Sequence, residues 1–297
     1  TAGTGYDEIH GNVEQMGKPT SDDEFKFDIK NNLLGNKITV DQMAAPYDKL
    51  NSTVAANAQF TFVTGNGFYA SADGLTLYGN QAKTFVIATM TADGIVELAK
   101  DAETLVLLNA NSPKELANVL TARVAVKSSL CWGAGIKINN SEFDVKFIRP
   151  ISVESATAEF TDAVATTSDV KLTFKNWNGY DFTDPNRAFA STDYFNYYKV
   201  SGIELNIGNA TTDLNGVEKK LSEVTSQIEL TYTAPALSAD GYIVANQYGK
   251  LTYNNNGLTV GTFHITIPAK ITYEWGVLNT EVVVTVKESQ VARTVRK

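Results

Sequence analysis

Residues 176–200, NWNGYDFTDPNRAFASTDYFNYYKV, gather Trp177, Tyr180, Phe182, Phe189, Tyr194, Phe195, Tyr197 and Tyr198 among Asn and Asp side chains. Aromatic planes stack on pyranose rings while Asn and Asp bond to sugar hydroxyls. Trp177, Tyr180, Phe182, Phe189, Tyr194 and Tyr197 are therefore a candidate glycan-binding or contact surface. The competing reading is structural, a packed loop or an interdomain brace. Trp177 follows one strand-like run and YYKVSGIEL leads into another, so at least Trp177, Tyr197 and Val200 are expected to pack.

Other chemistry is sparse. The acidic turns TSDDEFKFD and TDLNGVE offer Asp22, Asp23, Asp213 and Glu218 as calcium ligands, yet neither has the full spacing of a twelve-residue calcium loop. Solvated loop charge explains them more simply, and no cofactor is expected beyond that calcium option. The two histidines, His10 and His264, lack metal-ligand spacing, so no zinc or other metal site is expected. A single Cys131 excludes an internal disulfide, and in SSLCWG it reads as a small buried hydrophobe. No G-x-S-x-G elbow, phosphate loop or dinucleotide-binding glycine pattern occurs, and the expectation is a protein that is not an enzyme. Three Asn-x-Ser/Thr triplets, at Asn51, Asn139 and Asn209, matter only in a cell that glycosylates them. A formal charge of −8 and a pI near 4.9 argue against a nucleic-acid partner, which requires a basic stripe to neutralise phosphates. With 43% apolar residues and no sustained apolar run, the chain reads as globular and without a membrane span.

The elements that must position these residues are mostly strands. Period-two alternation runs through EFKFDIK, AQFTFVT, LTLYG, KTFVIATM, TARVAVK, FDVKFI, VKLTFK, GIELNI, SQIELTYT, GKLTY, GTFHITI, AKITYEW and TEVVVTVK, with Gly, Asn and Asp between them. In the last hairpin Phe263, Ile265 and Ile267 share one face and His264 and Thr266 the other, so His264 is read as solvated. Pro268 cannot donate to a ladder and is expected to mark an edge or bulge where the strand bends. Val282, Val284 and Val286 return as a core face, and Trp132 and Trp275 cap the ends of their domains. Helices are expected only as connectors, over VDQMAAPYDKLNSTVAANA, SPKELANVL and LNGVEKKLSEV.

An internal repeat organises the chain. Lys30-Asn31 matches Lys175-Asn176, Ala92-Asp93-Gly94 matches Ala239-Asp240-Gly241, the Asn109–Asn111 segment matches Asn254–Asn256, and Trp132-Gly133 matches Trp275-Gly276, in order and at nearly constant offset. The fold class expected is all-β, two tandem immunoglobulin-like β-sandwich domains with short connecting helices. Their expected limits are 25–149 and 150–289, with 1–24 a linker or irregular lead-in and 290–297 a tail. A length of 297 residues agrees with two domains.

FDVKFIRPISVESATAEFTDAV, NYYKVSGIELNIGNATTDLNG and GTFHITIPAKITYEWGVLNTEVVVTVKES resemble the repeated Ig-like domains of large surface proteins of Bacteroides and relatives, including surface-layer-like proteins. The resemblance implies export to the outer face of the cell envelope, partners that are other copies or neighbouring domains, and a coat-forming or adhesive role without catalytic residues. Glycoproteins of this group are modified at Asp followed by Ser or Thr, a dipeptide absent here. Two alternatives stand beside the structural role: a glycan-binding adhesin using the aromatic stretch, and a pilin-like subunit donating TEVVVTVKESQVARTVRK as a strand.

Overall fold

A computed structural model describes residues 8–10, 26–28, 58–110, 120–128, 142–161, 166–176, 179–184, 186, 191–224, 228–244, 247–256 and 261–287. The chain divides into two compact units, one running up to Pro150 and the other taking over at Ile151.

The first unit contains β1 (Glu8–His10), β2 (Lys26–Asp28), β3 (Ala58–Val63), β4 (Tyr69–Ala70), β5 (Thr76–Tyr78), β6 (Val86–Met90), β7 (Ile95–Leu98), helix α1 (Ala102–Ala110), β8 (Leu120–Ser128) and β9 (Glu142–Ile148). One sheet has the order β1-β9-β8-β3 and the other β2-β7-β6-β5-β4. Phe60 and Phe62 of β3 donate backbone N–H bonds to the carbonyls of Ala92 and Gly74, tying the sheets together. Phe60, Phe62, Leu77, Ile87, Val96, Val124, Val145 and Phe147 are buried as its core. Glu8–His10, inside the stretch read as a lead-in, is a strand pairing in parallel with the last strand of this unit.

The second unit contains β10 (Ile151–Glu154), β11 (Ala156–Thr161), β12 (Thr166–Asp169), β13 (Thr173–Asn176), helix α2 (Ser191–Tyr197), β14 (Gly202–Leu205), β15 (Thr211–Thr212), β16 (Lys219–Lys220), β17 (Ile228–Thr233), β18 (Lys250–Asn255), β19 (Phe263–Tyr273) and β20 (Gly276–Lys287). Its large sheet runs β11-β20-β19-β15-β16 with β14 also on β19, β12-β18-β17 forms a three-stranded sheet, and β10 pairs with β13 as a separate two-stranded one. Strand alternation sends Phe160, Leu230, Leu251, Tyr253, Ile265, Ile267, Val282 and Val284 inward. Phe160 of β11 stacks on Tyr253 of β18 at 5.7 Å, joining the two sheets. Tyr232 of β17 donates its hydroxyl to the Ile203 carbonyl at 2.8 Å. Burial, helped by Glu204, pushes that phenol up to about 12.

Immunoglobulin-type sandwiches divide their strands as A, B, E, D on one sheet and C, F, G on the other. In the second unit β10, β12 with β13, β18 and β17 take the first set and β14, β19 and β20 the second. The first unit repeats the scheme, with β2-β7-β6 answering β12-β18-β17 and β1-β9-β8-β3 answering β11-β20-β19-β14. The fold is all-β and immunoglobulin-like.

The repeated Ala-Asp-Gly triplets build the same turn. Gly94 N–H bonds to Thr91 O at 2.8 Å and Thr91 N–H to Ile95 O at 2.9 Å; Gly241 N–H bonds to Ser238 O at 2.9 Å and Ser238 N–H to Tyr242 O at 2.8 Å. The hydroxyls of Thr91 and Ser238 accept from the N–H groups of Ile95 and Tyr242. Gly94 and Gly241 hold φ of 89° and 86°, a conformation open to glycine without strain.

Two local expectations are corrected. LNGVEKKLSEV is not a helix: it forms short 3-10 turns on either side of β16, because Asn215 and Gly216 take φ of 62° and 74° and interrupt the helical path. The helical segments VDQMAAPYDKLNSTVAANA and SPKELANVL lie outside the described residues except for their last positions, which begin β3 and β8. Pro268 makes no bulge in its ladder with β20. The ladder between β19 and β20 passes through the Pro268–Glu281 pair without a register shift. On its other side β19 changes partner near Pro268, from β15 at Ile265 and Thr266 to β14 from Ala269 onward, and the Pro268 carbonyl accepts from Asn206 N–H at 2.8 Å.

Candidate functional site

The aromatic stretch folds on itself before it meets anything else. Asn176 closes a tight loop by accepting Tyr180 N–H on its side chain at 2.9 Å, and its own N–H bonds to Tyr180 O at 3.0 Å. The chain then returns along β13, with Phe182 N–H on Phe174 O and Phe174 N–H on the Thr183 hydroxyl. Helix α2 lays its rings on this hairpin. Phe182 stacks on Tyr194 at 4.9 Å with 10° between planes, and Phe195 meets Phe174 edge-on at 5.1 Å. Tyr180 lies 5.5 Å from Tyr194, and Tyr248 tilts against Phe174 at 6.4 Å. Each such ring pair adds about 0.5–1.5 kcal/mol beyond the area it buries. Glu274 N–H bonds to Tyr198 O at 3.1 Å and Lys199 pairs with Glu274 at 2.9 Å, which fastens α2 to the β19–β20 turn holding buried Trp275.

This geometry corrects the stacking role given to Tyr180, Phe182 and Tyr194. Their exposures are 6%, 1% and 0%, so none has a ring face free for a sugar. Tyr197 is half-buried and packs edge-on against Tyr198 at 5.0 Å. Trp177 and Phe189 lie outside the described residues.

Of the four calcium candidates, Asp213 and Glu218 are among the described residues. Asp22 and Asp23 lie outside the described residues. Glu218 is exposed beside β16. Asp213 turns both carboxylate oxygens to His264: Oδ1 accepts the His264 N–H at 2.5 Å and Oδ2 meets Nδ1 at 2.9 Å. The Thr212 hydroxyl donates to the His264 carbonyl at 2.8 Å, so the end of β15 is pinned to β19 on both sides of one residue. Partial burial pushes the Asp213 carboxyl up, but the backbone N–H and imidazole of His264 outweigh it and hold the group below the ordinary carboxylate value. No cluster of three or more His, Cys, Asp or Glu placed to hold a metal ion occurs among the described residues. No helix among them is long and apolar enough to cross a membrane.

Beside the aromatic hairpin lies an open groove of about 350 Å³, lined by Asp169, Lys171, Thr173, Asp181, Thr183 and Asp184 together with Leu172 and the buried Tyr248. Asp169, Lys171 and Thr173 stand on the outer face of the strand whose inner face is Val170, Leu172 and Phe174. Asp181 Oδ1 accepts the N–H and hydroxyl of Thr183, and Asp184 Oδ1 accepts the N–H of Asn186, which sets both carboxylates in place. The groove presents carboxylates, hydroxyls and one ammonium, the donors and acceptors that a polyhydroxylated ligand engages. Sequence reading missed it, although the period-two SDVKLTF already separates its polar face from its apolar one.

No protein-family model matches the chain, and no curated protein matches it. Among solved structures it is similar to the extracellular cadherin domains 1–4 of protocadherin gamma B7, at 8% identity and a TM-score of 0.24, with 95% of this chain and 48% of that one covered. It is similar also to the CooA pilin subunit of enterotoxigenic Escherichia coli, at 9% identity and a TM-score of 0.22, covering 47% of this chain and 99% of that one. Drosophila N-cadherin EC1–4 follows at 12% identity and a TM-score of 0.18, with 78% and 41% covered. The chain thus spans about half the length of the protocadherin fragment. The fold assignment rests on the strand order of the two units themselves.

Proposed function

We propose that this chain is a non-enzymatic structural part of a cell-surface protein, exported to the outer face of the cell envelope, where its units contact neighbouring domains or other copies in a coat. The observation that carries the reading is the repetition of one immunoglobulin-type strand order in consecutive units. Tandem sandwiches of this kind serve as spacers and contact modules. The Bacteroides-type resemblance of the β19–β20 segment supports the surface-layer form of the proposal. Antibody labelling of intact cells and negative-stain imaging of the envelope test it. Surface label with an ordered array is the expected result, and a chain found only inside the cell overturns it.

A second reading, a glycan-binding adhesin, is favoured by the groove at Asp169, Lys171, Thr173, Asp181, Thr183 and Asp184. It replaces stacking by the buried rings with hydrogen bonding along a polar face. A glycan panel is the test: signal that disappears in Lys171→Ala and Asp184→Ala supports the reading, and an empty panel removes it. Strand donation has less support, because residues 282–286 are already held between β11 and β19, and residues 288–297 lie outside the described ones.

A further inference from the structure

We propose that the second unit is a tension-bearing link, in which the β11–β20 ladder resists a pull applied along the chain by being loaded in shear. The inference goes beyond the surface assignment and does not depend on where the chain resides.

The direction of the strands carries it. β11 and β20 pair in parallel over six residue pairs, from Ala156–Val282 to Thr161–Lys287. The chain therefore enters β11 level with Val282 and leaves β20 level with Thr161, at the opposite end of the same ladder. A pull on the segments flanking the unit meets first the four-pair ladder of β10 on β13 and, once β10 has come away, drives β11 and β20 past one another along their axes. The hydrogen bonds of the ladder then share the load and must fail together, whereas a hairpin pulled from its open end loses them one at a time. β20 is held equally well on its other edge, by eleven pairs with β19. Between β11 and β20 the load is thus carried by the six-pair ladder.

Two side-chain contacts reinforce that ladder. Phe160, 3% exposed, inserts under the sheet and stacks on Tyr253 of the facing sheet, so sliding β11 also drags a ring out of the core. Glu159 and Lys287 form an ion pair of 2.8 Å near the exit end. Ala156 and Ala158, both buried, keep the remaining inward positions of β11 small and close to the layer beneath.

Force spectroscopy on the full chain tests the proposal, with Cys131→Ser removing the native thiol and Lys287→Cys supplying one handle. With the second handle at Ser155→Cys the ladder is sheared; with it at Thr161→Cys, the register partner of residue 287, the same ladder is peeled. Far-UV circular dichroism matching the unmodified chain qualifies each variant. Forced rupture reads the unfolding rate under load, so the two geometries are compared at equal loading rate. Rupture in shear at several times the peeling force is expected. A Phe160→Ala exchange in the shear pair should lower that force. Equal forces in the two geometries overturn the proposal.

Discussion

At the scale of single residues, the Asp213–His264 contact shows how a half-exposed pair becomes part of the fold. Both side chains are about half exposed, at 47% and 49%, so the contact lies in the range of about 0.2–1 kcal/mol that exposed pairs contribute. Because the folded Asp213 is held below its ordinary value, its contribution is fully present above the unfolded carboxylate value near 4 and is lost as pH falls through the lowered folded value. Urea unfolding of Asp213→Asn against the parent between pH 2 and 7 is expected to show a small gap at neutral pH that closes in acid. A gap that stays constant across that range contradicts the assignment. Nothing local announced the pair, since its members are brought together only by β15 lying on β19. The inward positions named for β19 and β20, Phe263, Ile265, Ile267, Val282, Val284 and Val286, were different: all six are buried and followed from alternation alone, because a strand with one wet face has only two ways to point.

Elements were legible where sequence period and turn chemistry agreed, and illegible where they competed. Leu214, Val217, Leu221 and Val224 carry a helical spacing, but Asn215-Gly216 sits in left-handed backbone and β16 pairs with β15 instead. Helix α1 went unanticipated although Asp101 caps it, accepting Thr104 N–H on one carboxylate oxygen and the Thr104 hydroxyl on the other. Helix α2 was hidden by aromatic residues whose packing, rather than helical propensity, holds it in place. The Ala-Asp-Gly turns were read as punctuation, and the structure makes them quantitatively distinct. A Cβ on Gly94 would approach the Phe60 ring within 2.6 Å, while one on Gly241 meets nothing within 4 Å. Gly241→Ala should therefore cost only the left-handed backbone strain, about 1–2 kcal/mol, and Gly94→Ala clearly more. Thermal melts of the two variants decide this, and equal costs would show that the Phe60 ring moves aside freely.

For the whole molecule, the Ala-Asp-Gly repeat corresponds to a repeat of topology, because its two copies occupy matching connections, β6 to β7 and β17 to β18, whereas Asn109 lies in the last turn of α1 and Asn254 lies inside β18. What the sequence left hidden was the work of the aromatic stretch. A run of rings among Asn and Asp reads equally as a sugar platform or a core, and only the hairpin of residues 174–183 with α2 above it decides which faces are closed. Two compact units, each with its own core, should unfold as two calorimetric transitions, and residues 151–297 expressed alone should keep the higher or lower of the two unchanged. A single transition, or a fragment that melts elsewhere, would mean that the units depend on one another.

The pairing of β11 with β20, from opposite ends of the second unit, has a consequence for the order of events in time. β11 finds its ladder partner only in β20, at the far end of the same unit, so closure requires a contact of very high sequence separation. A chain emerging from its N-terminal side, whether from a ribosome or through a translocation pore, cannot complete this sandwich until Lys287 has arrived. β11 must wait for its ladder partner, and the large sheet stays open along that edge for as long as the final strand is withheld.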